Sequence, residues 1–289
     1  MEFPTPEVAA LYADLVRVAP ELVIGLDFDG TLAPIVEDPT QAHIHPDAPE
    51  LLVELAELVG GIAVITGRPA RQALALGDLD EIGTRIADMG KEFVVLGQYG
   101  NERWSSRERR VVSPRPPAGL AAFLREVPWL LRRAEAVGAY VEQKGLAVAL
   151  HTRRLDDPAT IFARLVPVVQ EVAGRHGLTV EPGRLVVEVR APGMHKGMAV
   201  AGLVERLGAG GFLFAGDDLG DIEAFNQVRD LRSAGMPAMV VCSDGGDGPD
   251  ILNELADLVV DGPDGVLALL RQLRDDIASS RRQGPVSPA

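Results

Sequence analysis

The sequence predicts an α/β protein with a Rossmann-like core, a mostly parallel sheet with helices on both faces, and an inserted smaller α+β domain. Three observations predict it. Short apolar runs alternate with helix-period segments towards both ends of the 289-residue chain. Several of these runs end in carboxylates, a hydroxyl or a glycine, where open parallel sheets bind ligands. Between Trp104 and Arg190 the rhythm changes behind a proline-rich joint, Ser113-Pro114-Arg115-Pro116-Pro117.

An amphipathic segment over 6–18 precedes strand-like runs at 22–28, 61–66, 93–96, 212–215, 238–242 and 258–260. Helical patterns follow or intervene at 49–58, 69–76, 196–207, 221–228 and 263–274. The middle block reads as a helix over 118–137, a hairpin of 140–143 and 146–152 turning at Lys144-Gly145, a helix over 158–175, and strands at 178–181 and 184–189. Its separate alternation and proline-rich entry make it an inserted domain. The expected organisation is core 1–106, insert 107–187 and core 188–289, with 278–289 a frayed tail.

Composition narrows the function. A net charge of −14 argues against a nucleic-acid partner, because phosphate neutralisation needs a basic face. No apolar stretch reaches transmembrane length and the amino terminus lacks a secretory pattern, so no membrane partner is expected and cytoplasm is the default location. The single cysteine, Cys242, excludes an internal disulfide and a cysteine-rich metal site.

The first strand runs into Asp27-Phe28-Asp29-Gly30-Thr31. Strand alternation would put Asp27 and Asp29 on one side, where two carboxylates repel unless a cation or proton lies between them. An EF-hand loop is disfavoured, because its sixth position needs glycine and holds Leu32 and a β-rich run replaces the flanking helix. A divalent metal, split acid and nucleophile roles, or a strand-to-turn junction with two solvated aspartates remain. Thr66-Gly67-Arg68 ends a second strand with parts able to hold phosphate. Lys196 opens a helix, where an ammonium can bridge a carboxylate and a phosphate or simply face solvent. Gly216-Asp217-Asp218-Leu219-Gly220-Asp221 ends another strand in three carboxylates. These suit magnesium together with Asp27 and the Asp29 carbonyl, or cap the following helix. The stretch 243–248 reads as a flexible acidic loop.

The order and placement of Asp27-Phe28-Asp29-Gly30-Thr31, Thr66, Lys196 and 216–221 resemble the haloacid dehalogenase superfamily. Within it the chain looks like the trehalose-6-phosphate phosphatase family, through Leu32-Ala33-Pro34-Ile35, Thr66-Gly67-Arg68, Tyr99-Gly100-Asn101, Glu142-Gln143-Lys144, His151-Thr152-Arg153 and Glu188-Val189-Arg190. It departs from the family where Gly220-Asp221-Ile222-Glu223 replaces the usual Thr-Asp-Glu-Asp and Met194-His195 a Val-Asp. The resemblance implies a Mg2+-dependent phosphatase with Asp27 as nucleophile, Asp29 as proton shuttle, and Thr66 and Lys196 holding the phosphoryl group. It implies metal binding by Asp27, Asp29 and Asp217, with Asp218 as ligand or outer support and Asp221 as outer support. It assigns sugar contacts to Arg68, Glu142, Lys144, Glu188, Asn101, His151 and Arg153, with the insert acting as a cap. The implied substrate is a small sugar phosphate, and a functional pairing with a trehalose-6-phosphate synthase follows. Another sugar phosphate, a phosphomutase cycle or a non-catalytic sugar-phosphate sensor are the competing readings.

Overall fold

The computed structural model describes residues 3–183, 185–193, 195–246 and 250–283. Thr5 caps α1 (Pro6–Arg17) by accepting a hydrogen bond from the Val8 amide, with Pro6 at the first helical position. The chain continues through β1 (Leu22–Leu26), α2 (Ala48–Ala56), β2 (Gly61–Ile65), α3 (Ala70–Leu76), α4 (Leu79–Asp88), β3 (Phe93–Gly97) and β4 (Glu102–Ser105). The inserted block holds α5 (Leu120–Arg133), β5 (Tyr140–Gln143), β6 (Ala147–His151), α6 (Pro158–Arg175), β7 (Thr179–Gly183) and β8 (Val186–Arg190). Then follow α7 (Lys196–Leu207), β9 (Gly211–Gly216), α8 (Ile222–Ser233), β10 (Ala238–Ser243), α9 (Asp250–Leu255), β11 (Leu258–Val260) and α10 (Gly262–Gln283).

The chain divides into two units, 1–112 with 195–289, and 113–194. The first is built on a seven-stranded sheet of order β11-β10-β9-β1-β2-β3-β4, parallel except for the β3–β4 pair. Strands β1, β2, β3, β9 and β10 are buried on both faces, which is why they read as unbroken apolar runs. Along β1 the side chains alternate between two cores. Leu22, Ile24 and Leu26 join a cluster with α1, α2, α4 and α10, while Val23 joins one with α7 and α8. β1 lies between β9 and β2, so the chain leaves it at the point where strand order reverses, and the sheet has its crevice there.

The second unit is a four-stranded antiparallel sheet, β5-β6-β8-β7, with α5 and α6 sharing its apolar core. Val148, Leu150, Val187 and Val189 fill that core. Period-two alternation therefore turns Glu142, Ala149, Glu188 and Glu181, which lie opposite one another across the four strands, to the other face.

Several boundaries differ from expectation. The units meet at 112/113 and 194/195 instead of 106/107 and 187/188. Arg103 and Val112 exchange two backbone hydrogen bonds that keep 107–112 with the first unit, and β8 pairs with β6 over its full length. The insert's first helix stops at Arg133, short of 137, because Glu135 and Gly138 take positive φ of 53° and 102°. The frayed tail does not begin at 278, since α10 continues to Gln283. It is pinned by buried Ile277, by the Tyr12 hydroxyl donating to Asp276 at 2.7 Å and by Arg281 donating to the Leu58 carbonyl at 2.7 Å. Residues 284–289, Met194 and the 247–248 part of the acidic loop lie outside the described residues. Among the described residues no helix is long and apolar enough to cross a membrane.

Candidate active site

β1 ends at Leu26, so Asp27 follows the last strand residue and Asp29 lies in the turn beyond it, no longer on a strand. The Asp27 amide still donates to the Ala215 carbonyl at 2.9 Å, which anchors the nucleophile candidate to β9. Phe28 between the two aspartates is fully buried. Gly30 then turns with φ of 67°, and a Cβ on it would stand 2.1 Å from Asp217 Oδ2. Only glycine lets the two acidic loops approach this closely.

Lys196, at the start of α7, is buried between two carboxylates. Its ammonium lies 2.8 Å from Asp27 Oδ1 and 2.7 Å from Asp221 Oδ1. The other oxygen of Asp221 accepts the amides of Asp217 and Asp218 at 3.0 and 3.2 Å, and Asp218 in turn accepts the Gly220 amide at 2.8 Å. Both oxygens of Asp221 are thus engaged, one with the loop amides and one with Lys196. Asp27, Asp217, Asp218 and Asp221 each bring one oxygen to within 4.8 Å of the others. Asp217 Oδ1 is buried with no hydrogen-bond partner. A hard divalent cation fits this set, since it accepts oxygen donors and relieves both the orphaned oxygen and the crowded charge.

Burial raises the Asp27 carboxyl well above the ordinary range; Lys196 opposes this and the Asp221 and Asp218 charges add to it. Burial likewise raises Asp217, reinforced by Asp27, Asp218 and Asp221. Asp221 is pushed up to about 6, again by burial first, with Lys196 pulling the other way. For Lys196 burial alone would lower the value, but Asp221 and Asp27 together raise it. The ammonium stays charged.

Asp29 stands apart from the acidic cluster. Arg68 grips its carboxylate with Nε and Nη2, both at 2.6 Å, and donates from Nη1 to the Pro39 carbonyl at 2.8 Å. The side chain expected to contact sugar therefore spends its fork on Asp29. Thr66, buried at the end of β2, accepts the Arg68 amide at 3.1 Å. Asn101 follows β3 and donates to the Gln98 carbonyl at 2.9 Å.

In the second unit the polar face of the sheet carries the expected sugar-contact residues. Lys144 donates to Glu188 at 2.6 Å with both side chains largely buried, and His151 Nε2 lies 3.0 Å from Glu142. Glu188 Oε1 remains buried without a hydrogen-bond partner. Arg153 is exposed in the segment after β6.

Ser243, expected to open a flexible loop, is instead the fully buried last residue of β10. Its hydroxyl donates to the Gly30 carbonyl at 2.6 Å, bracing the turn beyond Asp27 from a residue 213 positions away. A lone serine at a strand end carries no spacing signal for that role.

A family model described as trehalose-phosphatase matches residues 25–251. A trehalose-phosphate phosphatase of Mycolicibacterium paratuberculosis is 31% identical over 76% of this chain and 55% of its own length. A protein of Mycobacterium tuberculosis described as an uncharacterised glycosyl hydrolase is 33% identical over 78% of this chain but only 17% of its own length. The chain thus spans a small part to about half of these relatives. In fold it is similar to the C-terminal domain of Candida albicans trehalose-6-phosphate phosphatase, with a TM-score of 0.73 and 19% identity over 95% of this chain and 98% of that one. A haloacid dehalogenase-like hydrolase of Bacteroides thetaiotaomicron shares the fold at a TM-score of 0.56 and 16% identity, over 87% of this chain and 98% of that one.

Proposed function

Because the chain belongs to the trehalose-phosphatase family, we propose that it hydrolyses trehalose 6-phosphate to trehalose and phosphate in a Mg2+-dependent reaction of trehalose biosynthesis. The observation that carries the proposal is the buried Asp27–Lys196–Asp221 set beside the unpartnered Asp217 oxygen. That set suits a charged nucleophile, a fixed cation and a metal at one strand end.

Asp27 and Asp217, with the Asp29 carbonyl, would hold Mg2+, and Asp218 lies close enough to contribute. When bound, the ion supplies charge neutralisation and Lewis acidity at the phosphoryl oxygens. An Asp27 carboxylate oxygen attacks phosphorus in line as the bond to the sugar oxygen breaks, giving an aspartyl-phosphate. Asp29 gives its proton to the departing sugar oxygen, then takes one from the water that attacks phosphorus and releases Asp27. Arg68 occupies both oxygens of Asp29, so delivery of that proton requires Asp29 to let go of the guanidinium. Lys196 favours the ionised form of Asp27 against the effect of burial and, with Thr66 and the amides of the first loop, offsets phosphoryl charge.

Sugar selection is assigned to Glu142, Lys144, Glu188, His151 and Arg153 of the second unit, with Asn101. The glycosyl hydrolase description belongs to a relative most of which this chain does not span. A functional pairing with a trehalose-6-phosphate synthase is proposed on family grounds alone.

Phosphate release over a panel of sugar phosphates, with Mg2+ and with EDTA, tests the reading. Trehalose 6-phosphate should be the preferred substrate, EDTA should stop release, and Asp27→Asn should abolish it. Preference for glucose 6-phosphate or phosphoglycolate would overturn the substrate, and undiminished release by Asp27→Asn would overturn the mechanism.

A further inference from the structure

β3 leaves the sheet through three consecutive residues in the left-handed region, Gln98, Tyr99 and Gly100, with φ of 48°, 60° and 99°. Only the third is glycine. A bulky aromatic residue is sterically disfavoured there, and such conformations persist where the surroundings over-determine them. Here they do: the Gln98 amide donates to the Arg68 carbonyl at 2.8 Å and the Tyr99 amide to the Thr66 carbonyl at 3.0 Å. The turn is therefore tied to the loop that carries Thr66 and Arg68.

The strained backbone delivers the Tyr99 ring to a particular place. A Cβ on Gly67 would lie 2.9 Å from Tyr99 Cζ and 3.0 Å from its hydroxyl oxygen, so the ring rests on the Gly67 backbone. A Cβ on Gly220 would meet Tyr99 Cε1 at 3.4 Å, so the same ring also reaches the loop of Asp217, Asp218 and Asp221. The approach to Gly67 depends on the lack of a side chain there, whereas the approach to Gly220 is an ordinary van der Waals contact. One ring thus stands between the loop proposed to hold phosphate and the loop proposed to hold the metal.

We propose that Tyr99 is a positioning residue whose ring acts as a spacer, fixing the Thr66–Arg68 loop and the Asp217–Asp221 loop at the separation that metal and phosphate together require. The inference rests on the phosphatase reading for its consequence in turnover, but not for its consequence in metal binding.

Glycine is the informative replacement, since it removes the ring and relaxes a left-handed backbone at once. The full chain carrying Tyr99→Gly should unfold in EDTA at or above the temperature of the unsubstituted protein. It should nonetheless bind Mg2+, followed by titration calorimetry with the metal alone, about 10- to 100-fold more weakly. Its kcat on the best sugar phosphate of the panel should fall by a larger factor than KM rises, because all the assigned sugar contacts but Asn101 lie in the second unit. Tyr99→Phe should restore both Mg2+ affinity and kcat. If Tyr99→Gly does not fold, Tyr99→Asn, which also tolerates the left-handed region, takes its place. Mg2+ affinity equal to that of the unsubstituted protein in a folded ring-less variant overturns the proposal, as does failure of Tyr99→Phe to restore it. Absence of phosphate release by the unsubstituted protein on every substrate would instead defeat the phosphatase reading, leaving the Mg2+ titration to decide the role of Tyr99.

Discussion

Lys196 and the carboxylates around it form an electrostatic unit whose parts are not separable. Removing the ammonium would leave Asp27 and Asp221 facing each other without a buried cation, and breaking such a pair typically costs about 3–5 kcal/mol. The carboxylates outnumber the lysine, which gives the metal-free protein a definite pH response. Asp27, Asp217 and Asp221 all bind their protons more tightly folded than unfolded. A raised carboxyl adds stability below its unfolded value and loses it as pH rises through the folded value. For Asp221 that window runs from 3.8 to about 6, and for the other two it opens at the same lower edge. Lys196, raised above 10.5, stays protonated throughout and contributes no slope. Thermal unfolding in EDTA should therefore show a melting temperature held down by this cluster as pH rises from about 4 towards 7. Saturating Mg2+ should restore stability increasingly towards neutral pH, because the cation competes with the protons it displaces. The same restoration by Mg2+ at about pH 4 and pH 7 would show that these carboxylates do not hold the ion.

At the scale of elements, the strand ends of the candidate site are held by groups far away in the chain. Ser243 on β10 fastens the Gly30 carbonyl, and Gly30 packs on Asp217 from the end of β9. Ser243→Ala leaves a buried carbonyl without its donor, so chemical denaturation should show a loss of about 1–3 kcal/mol. Phosphate release should fall with it, and Ser243→Thr, which keeps the hydroxyl, should recover part of both. Elements of this kind differ in how far the chain announces them. The parallel strands are legible because burial on both faces produces unbroken apolar runs, and Asp27, Asp217 and Lys196 because carboxylates and a lysine at strand and helix ends are chemically conspicuous. β4 is not, since Glu102-Arg103-Trp104-Ser105 is a short polar edge strand held by its antiparallel partner β3. α4 escapes because its entry, Asp78 at φ of 46°, breaks the helical rhythm straight after Leu76-Gly77. Ser243 and Tyr99 escape for a related reason: their effects depend on backbone atoms of distant loops, which no local pattern encodes.

The whole molecule is one sheet-based unit interrupted by another that owns a separate core. Phe123, Leu130, Leu150, Leu165, Val169 and Val187 are all fully buried within the second unit, while Leu22, Ile24 and Phe212 of the first fill different clusters. Cores that share no side chains can lose stability separately. Leu150→Ala deletes a fully buried side chain from β6, which pairs with β5 and β8, at a cost of about 2–5 kcal/mol. Hydrogen exchange of the full chain should then accelerate across 120–190, while β1, β2 and β9 keep their protection and Mg2+ still binds. The proposed turnover of trehalose 6-phosphate should drop more than Mg2+ affinity, because the proposed sugar-contact row of Glu142, Lys144 and Glu188 sits on the sheet that Leu150 supports. Equal acceleration of exchange in β1 and β9 would mean that the two cores unfold as one cooperative unit, and would remove the basis for assigning metal binding and sugar selection to different parts of the chain.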